Sequence, residues 1–173
     1  GMMGYNSQVG IKFNPDLARR LLDEAGFKDR SLFPKVKMAF NTNEDQQRIA
    51  ENIQAQIKKN LSIEMELVNE EWKVYLAHLR TDTPAIYRLG WTADYPDPDN
   101  FMNLMAGFSD NNHTGWKDKE FDKLITQAAG TLDKNKRLQL YDKAQKMLTE
   151  EATPVIPLYS GVSQSLVALR VKG

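Results

Sequence analysis

The chain has 173 residues, equal numbers of basic and acidic side chains (23 each), and no cysteine. The balance leaves no global field to favour nucleic acid or an anionic membrane surface, and the missing thiol excludes thiolate catalysis, disulfides and cysteine-ligated zinc. No apolar run approaches the roughly 20 residues of a membrane span, and no signal-type segment opens the chain. The length suits one domain with a real core. Gly1 ahead of Met2 and Met3 reads as a residue left by expression, and the chain as a piece of something larger.

In NPDLARRLLDEAG, residues 14–26, Asn14 stands as N-cap, Pro15 at the first helical position and Gly26 as the stop. Leu17, Ala18, Leu21, Leu22 and Ala25 share one face, which predicts a helix. VKMAF, 36–40, puts Val36, Met38 and Phe40 on one side and reads as a strand. In the following helix, Asn43 and Gln46 have capping-box spacing, and Ile49, Ile53, Ile57 and Leu61 step down one face. SIEMELV, 62–68, turns Ile63, Met65 and Leu67 inward as a second strand. EEWKVYLAHL then places Trp72, Tyr75, Leu76 and Leu79 at helical spacing, ahead of a strand in PAIYRLGW, 84–91. Two βαβ units in series imply an α/β fold with a mixed, mostly parallel sheet flanked by helices. Two more helices follow, over 117–130 with Phe121, Leu124, Ile125 and Ala128, and over 134–150 with Leu140, Tyr141, Ala144, Met147 and Leu148. The end, TPVIPLYSGVSQSLVALRV, reads as two short strands, the first demoted to an edge or irregular segment by Pro154 and Pro157.

The stretch GWTADYPDPDNF, 90–101, gathers Asp94, Asp97 and Asp99 with Trp91, Tyr95 and two prolines. A catalytic carboxylate pair is conceivable there, but Asp beside Pro is ordinary turn chemistry and outweighs it. Asp97, Asp99 and Asn100 lack the glycine and terminal glutamate of a calcium loop. His78 and His113 have no nucleophile or orienting acid in their own motifs, and there is no GxSxG, phosphate loop or HExxH. Nothing calls for an enzyme, a metal or a cofactor, and no aromatic-basic interleaving of the base-stacking kind points to nucleic acid. Recognition remains. Ligands of an open parallel sheet collect beyond the carboxyl ends of its strands, where Trp91 and Tyr95 would form flat walls around Asp94 in partly dry surroundings. A desolvated carboxylate needs a cation, either an internal lysine or arginine or a ligand amine.

Through LLDEAGF, FNTNEDQQ, NEEWKVYL, YRLGWTADYPDPDNF, FDKLITQA, RLQLYDKAQKMLTEEATPVIPLY and LVALRVKG, the chain resembles the carboxyl-terminal lobe of the extracellular solute-binding proteins of family 5. These serve ABC importers of oligopeptides, dipeptides, nickel and some sugars. NEEW followed by WTADYPDPDNF is the specific part, and is closest to the oligopeptide-binding branch. The resemblance implies that residues 1–173 form one lobe of a type II periplasmic-binding-protein fold, with an amino-terminal lobe preceding it. Short peptides would lie extended between the lobes and pass to ABC permease subunits, outside the cytoplasm, either in the periplasm or at a lipid-anchored surface. It further implies that Asp94 receives the peptide's amino terminus, that Trp91 and Trp72 line side-chain pockets, and that Arg88 helps to receive the carboxylate end. Gln46 stands where some peptide binders carry a histidine near that end. The alternatives are core packing for the tryptophans, an ion pair for Arg88 and a capping role for Gln46. For the whole, they are another solute (a nickel chelate, haem or a sugar) or an interaction module without a small-molecule ligand.

Overall fold

Two apolar alternating segments joined by one amphipathic helix pair most simply as parallel strands, because the helix returns the chain to the edge where it began. A computed structural model describes residues 4–161, 166–168 and 170. Strand β1 (Val36–Asn41) runs parallel to β2 (Met65–Glu70), with Met38 opposite Leu67, and parallel to β3 (Ile86–Tyr87), with Met38 opposite Ile86. The order is β2-β1-β3. Helix α2 (Glu44–Leu61) connects β1 to β2, and α3 (Trp72–Thr81) connects β2 to β3. The central strand is buried on both faces. Met38 and Phe40 pack with Ala50, Met65 and the half-buried Ile53 and Ile57, while Ala39 packs with Tyr75 and Leu79 of α3. A parallel strand covered this way reads as continuously apolar. The α/β class and the parallel pairing are those the sequence implies.

Helix α1 (Pro15–Glu24) forms between its predicted caps. Asn14 Oδ1 accepts from Leu17 N at 2.9 Å, and Gly26 turns the chain at φ 92°. Its apolar stripe is covered only in part: Ala18 and Leu22 are half-buried, while Leu21 is 53% exposed. A second body forms from α5 (Lys119–Ala129) and α6 (Lys134–Lys146). Phe121, Leu124, Ile125 and Ala128 are buried against Leu140, Tyr141, Ala144 and Leu148, each large apolar side chain contributing about 1.5–3 kcal/mol. Residues 88–106, including the single turn α4 (Asp99–Met102), link this helical pair to the sheet.

Several elements depart from the sequence expectation. Strand β3 spans two residues rather than 84–91; Pro84 has no N–H to donate and Gly90 weakens the far end. Pairing continues past it by one bond only, Arg88 N to Ala39 O at 2.9 Å. Strand β2 starts at Met65 because Ser62 closes α2 in the left-handed conformation, φ 58°, so the chain must first reverse. The helix expected over 134–150 ends at Lys146 and continues as a π turn, Met147–Glu151. No strand occurs over 152–161, where Pro154 and Pro157 remove two ladder donors. The second terminal strand falls largely on residues 162–165, 169 and 171–173, outside the described residues.

Tyr75 fastens the point where the chain leaves the sheet. Its side chain is fully buried and its hydroxyl donates to Arg88 O at 2.7 Å; burial pushes its pKa up. Tyr75→Phe leaves that carbonyl without its donor and is expected to cost about 1–2 kcal/mol, read as a lower urea midpoint at unchanged slope. An unchanged midpoint would show that water serves the carbonyl equally well.

Candidate ligand site

Because the three strands are parallel, their carboxyl ends meet at one edge of the sheet. β1 delivers Thr42, Asn43 and Gln46, β2 delivers Glu70 and Trp72, and β3 delivers Arg88 and the loop beyond it. Thr42 ties the first two ends together. Its N–H donates to Glu70 O at 2.7 Å, and its hydroxyl donates to the Asn69 side chain and to Glu70 O. Asn43 Oδ1 caps α2 by accepting from Asp45 N at 2.9 Å and Gln46 N at 3.3 Å. The reciprocal half of the capping box is missing: Gln46 Oε1 is buried without a partner.

The loop is built by hydrogen bonds to its own side chains. Asn100, the one buried polar residue among the described residues, accepts at Oδ1 from Trp91 Nε1 at 2.7 Å and from Asp94 N at 3.4 Å. Arg137 forks the Asp97 carboxylate at 2.7 and 2.8 Å, and Asp97 Oδ1 also accepts from Asp99 N at 2.9 Å. Asp99 accepts from Tyr95 Oη at 3.0 Å, Asn103 Nδ2 at 2.7 Å and Tyr141 Oη at 3.2 Å. The Arg137 hydrogen bonds hold Asp97 below the usual carboxylate range, and the same bonds raise Arg137. Burial, then the Asp99 charge, pushes the Tyr141 phenol up. Two of the three aspartates are therefore consumed by the fold, as turn chemistry requires. Among the described residues, no three of His, Asp and Glu form a metal-holding group.

Asp94 is different. It is exposed, and its carboxylate makes no hydrogen bond or ion pair among the described residues. This corrects the expectation of a partly dry carboxylate: the loop holds Asp94 by its backbone and leaves its charge in water. Its aromatic neighbours are likewise open, Trp91 at 42% and Tyr95 at 47% exposure, and Trp72 at 47%. Neither tryptophan is core; Trp72 leans on Tyr75 with centroids 6.3 Å apart. Arg88 has no carboxylate partner among the described residues. Its Nη2 donates to Tyr159 Oη at 2.8 Å, with the guanidinium 6.0 Å from that ring. Trp91, Asp94 and Tyr95 are brought together by the loop, whereas Trp72 and Gln46 share the sheet edge without a hydrogen bond or ring contact to it among the described residues. Arg137 and Tyr159 escaped the sequence reading, and Asn100 was weighed there only as a calcium ligand, not as the acceptor for Trp91 and Asp94. Tyr141 was visible as a core residue, and a buried phenol must find a partner, but nothing local named Asp99.

Residues 1–113 match the family profile described as bacterial extracellular solute-binding proteins, family 5, middle region. The chain is 38% identical over 157 residues to the oligopeptide-binding protein OppA of Bacillus subtilis, covering 90% of this chain and 29% of that protein. It superposes on a periplasmic oligopeptide-binding protein of Borrelia burgdorferi with TM-score 0.79 and 33% identity, covering 88% of this chain and 31% of the other. On Haemophilus influenzae OppA in complex with RPPGFSPFR, the TM-score is 0.73 at 31% identity, over 78% of this chain and 26% of the other. The chain thus spans less than a third of the length of each of these relatives.

The Arg137–Asp97 fork carries a pH prediction. The folded-state pKa of Asp97 lies below its ordinary value of 3.8, so its stabilisation is complete above about pH 4 and is lost as pH falls through the lowered folded value. Asp97→Asn is expected to cost about 2 kcal/mol near neutral pH, with the deficit shrinking as pH falls from about 4 toward 2. Urea melts across that range measure it, and a deficit that stays constant would mean that ionisation of Asp97 is not what the fork stabilises.

Proposed function

The chain belongs to the bacterial extracellular solute-binding proteins of family 5, and from that premise we propose that it is a ligand-binding lobe of an ABC importer's peptide receptor. Short peptides lie extended across the carboxyl edge of its sheet, facing a second lobe of the same protein, and pass to permease subunits outside the cytoplasm. The reading is one of binding without chemistry on the ligand. The observation that supports it most is the contrast within one loop: Asp97 and Asp99 are engaged by Arg137, Asn103 and two phenols, while Asp94 keeps a carboxylate unpartnered among the described residues, in the same loop as the exposed Trp91 and Tyr95. An α-ammonium group suits that carboxylate, and a neutral sugar does not.

The backbone supports the same reading. The N–H groups of Leu89, Gly90, Trp91, Thr92 and Ala93 donate to nothing among the described residues, so an extended peptide can pair with them as an added strand. At the far end of this stretch, Arg88 offers a guanidinium fork for a carboxylate. Arg88 and Asp94 are six residues apart, hence at most about 20 Å along the backbone, the span of a short peptide. Trp91 and Trp72 supply apolar wall for side chains, and Gln46 lines the same edge with an amide.

Magnitude decides how strongly the chain binds alone. An ion pair at an exposed carboxylate is worth about 0–1 kcal/mol, so Asp94 gains strength only once a second lobe closes and removes water. The chain by itself is therefore expected to bind weakly. Amide chemical shifts should be followed with a short peptide at millimolar concentration, beside its N-acetylated twin, and repeated on Asp94→Ala. The expected outcome is movement clustered at residues 88–95 that is lost on acetylation and in the variant. Equal movement with the acetylated peptide, or none at residues 88–95, would overturn the role of Asp94.

A further inference from the structure

A second recess lies away from the sheet edge that carries the peptide reading. Helix α3 begins at that edge with Trp72 and runs back along the sheet, so Arg80 sits about 12 Å further along its axis. There a groove of about 420 Å³ opens between the end of α3 and the loop 107–117, a volume within the range of small-molecule sites. Its floor includes the buried Leu79, and Phe108, 67% exposed, stands at its rim. Arg80, His113 and Lys117 line it, with Asp110 the only acid.

The far wall of this groove is rigid. Asn112 donates from Nδ2 to the carbonyls of Met105, Ala106 and Trp116 at 3.1, 3.2 and 2.8 Å. Its Oδ1 accepts from Thr114 N and Oγ1 at 3.2 and 2.7 Å. Gly107 N donates to Asp122 Oδ1 at 2.8 Å, with Asp122 Oδ2 so close that a β-carbon at position 107 would lie 2.8 Å from it. Those bonds spend Asp122 on the loop and leave it outside the groove lining. The two permanent cations are not spent. Neither Arg80 nor Lys117 makes an ion pair or a side-chain hydrogen bond among the described residues, although the chain has as many acids as bases to offer them.

Two unspent cations against one carboxylate, beside a loop fixed by six side-chain bonds to Asn112 and Asp122, leave the groove with an excess of positive charge and hydrogen-bond donors suited to an anion. We propose that this groove is a second binding site, for a small oxyanion of the carboxylate or phosphate type, distinct from the strand-end site. Arg80 forks the anion, Lys117 adds a point charge from the opposite wall, and His113 contributes a ring N–H. Burial, and then the charge of Arg80, lower the His113 pKa, so near neutral pH its ring is a neutral donor. Phe108 provides apolar surface for the carbon part of a carboxylate ligand.

The test is a spectroscopic titration of the chain near neutral pH, at ionic strength held constant with chloride. Inorganic phosphate is the probe in one arm and succinate in the other. The chain has two histidines, and His78, engaged with Glu70 at 2.9 Å, is the internal control. The expected result is saturable movement of the His113 ring and of the Arg80 and Lys117 amides in at least one arm, with His78 still. The arm that saturates at lower concentration identifies the preferred class. Arg80→Gln with Lys117→Gln should weaken this at least about tenfold, as loss of a charged hydrogen bond requires, while the resonances of Trp116 and Phe121 stay in place as a check on folding. Movement that fails to saturate in both arms, that is equal at His78, or that survives both substitutions in a folded protein would overturn the site.

Discussion

The fork between Arg137 and Asp97 is the interaction on which the candidate peptide site depends. It is largely shielded from water, with side-chain exposures of 18% and 24%, so its charge-assisted bonds are not reduced to the small value of a surface pair. Arg137 does more than neutralise. Its Nε reaches Ala128 O at 3.1 Å at the end of α5, and its guanidinium lies 5.0 Å above the Tyr141 ring. One side chain thereby joins the loop to both helices of the second body. At the opposite end, Tyr75 and the Ala39 carbonyl hold Arg88 to the sheet. Residues 89–96 are suspended between two fixed anchors, which is how an exposed segment with few bonds of its own keeps a defined course.

That suspension explains the division of labour among three aspartates within six residues. Three neighbouring carboxylates repel one another, and a short turn can accommodate them only by giving each a donor or leaving it in water. Asp97 has a guanidinium and Asp99 has three donors, two of them phenols. The loop has no further cation for Asp94, and Asn100 takes its backbone N–H rather than its charge. Solvation costs the free protein nothing here. Burying an unpaired charge would cost several kcal/mol, so the open position of Asp94 is the cheapest way to keep a carboxylate available.

Most of the fold was legible because its signals are local. Period-two alternation found β1, the 3.6-residue stripes found α2, α5 and α6 with their core residues, and Asn14, Pro15 and Gly26 marked both ends of α1. The failures lie where a distant partner decides. A strand exists only if a neighbour offers its ladder, so β3 is two residues long despite an apolar run, and the proline-bearing segment after the π turn pairs with nothing over 152–161. The site followed the same rule. Asp94 stood out as an acid between aromatics, and it lies seven residues past the end of β3 rather than directly beyond a strand reaching residue 91. Its dryness was misjudged, because solvent access depends on what covers the edge. Arg137 could not be read at all as the partner of an acid 40 residues away.

The uncovered surfaces and the exposed carboxylate have one physical meaning. Leu17 and Leu21 of α1, the rings of Trp72, Trp91 and Tyr95, and Phe13 and Ile156 all meet water in this chain, whose match covers under a third of the two oligopeptide-binding structures compared above. Apolar surface on that scale lowers the free energy most when something large covers it. If the cover arrives together with a peptide, one event removes water from the aromatic rings and from Asp94 at the same time. A pair worth little in the open edge then becomes a strong one, because its desolvation is offset by apolar burial rather than by the ion pair alone. Closure and recognition are in that case the same free-energy change. A ligand lacking the ammonium group would leave Asp94 unpaired in the covered edge and oppose the closure that a matching ligand drives.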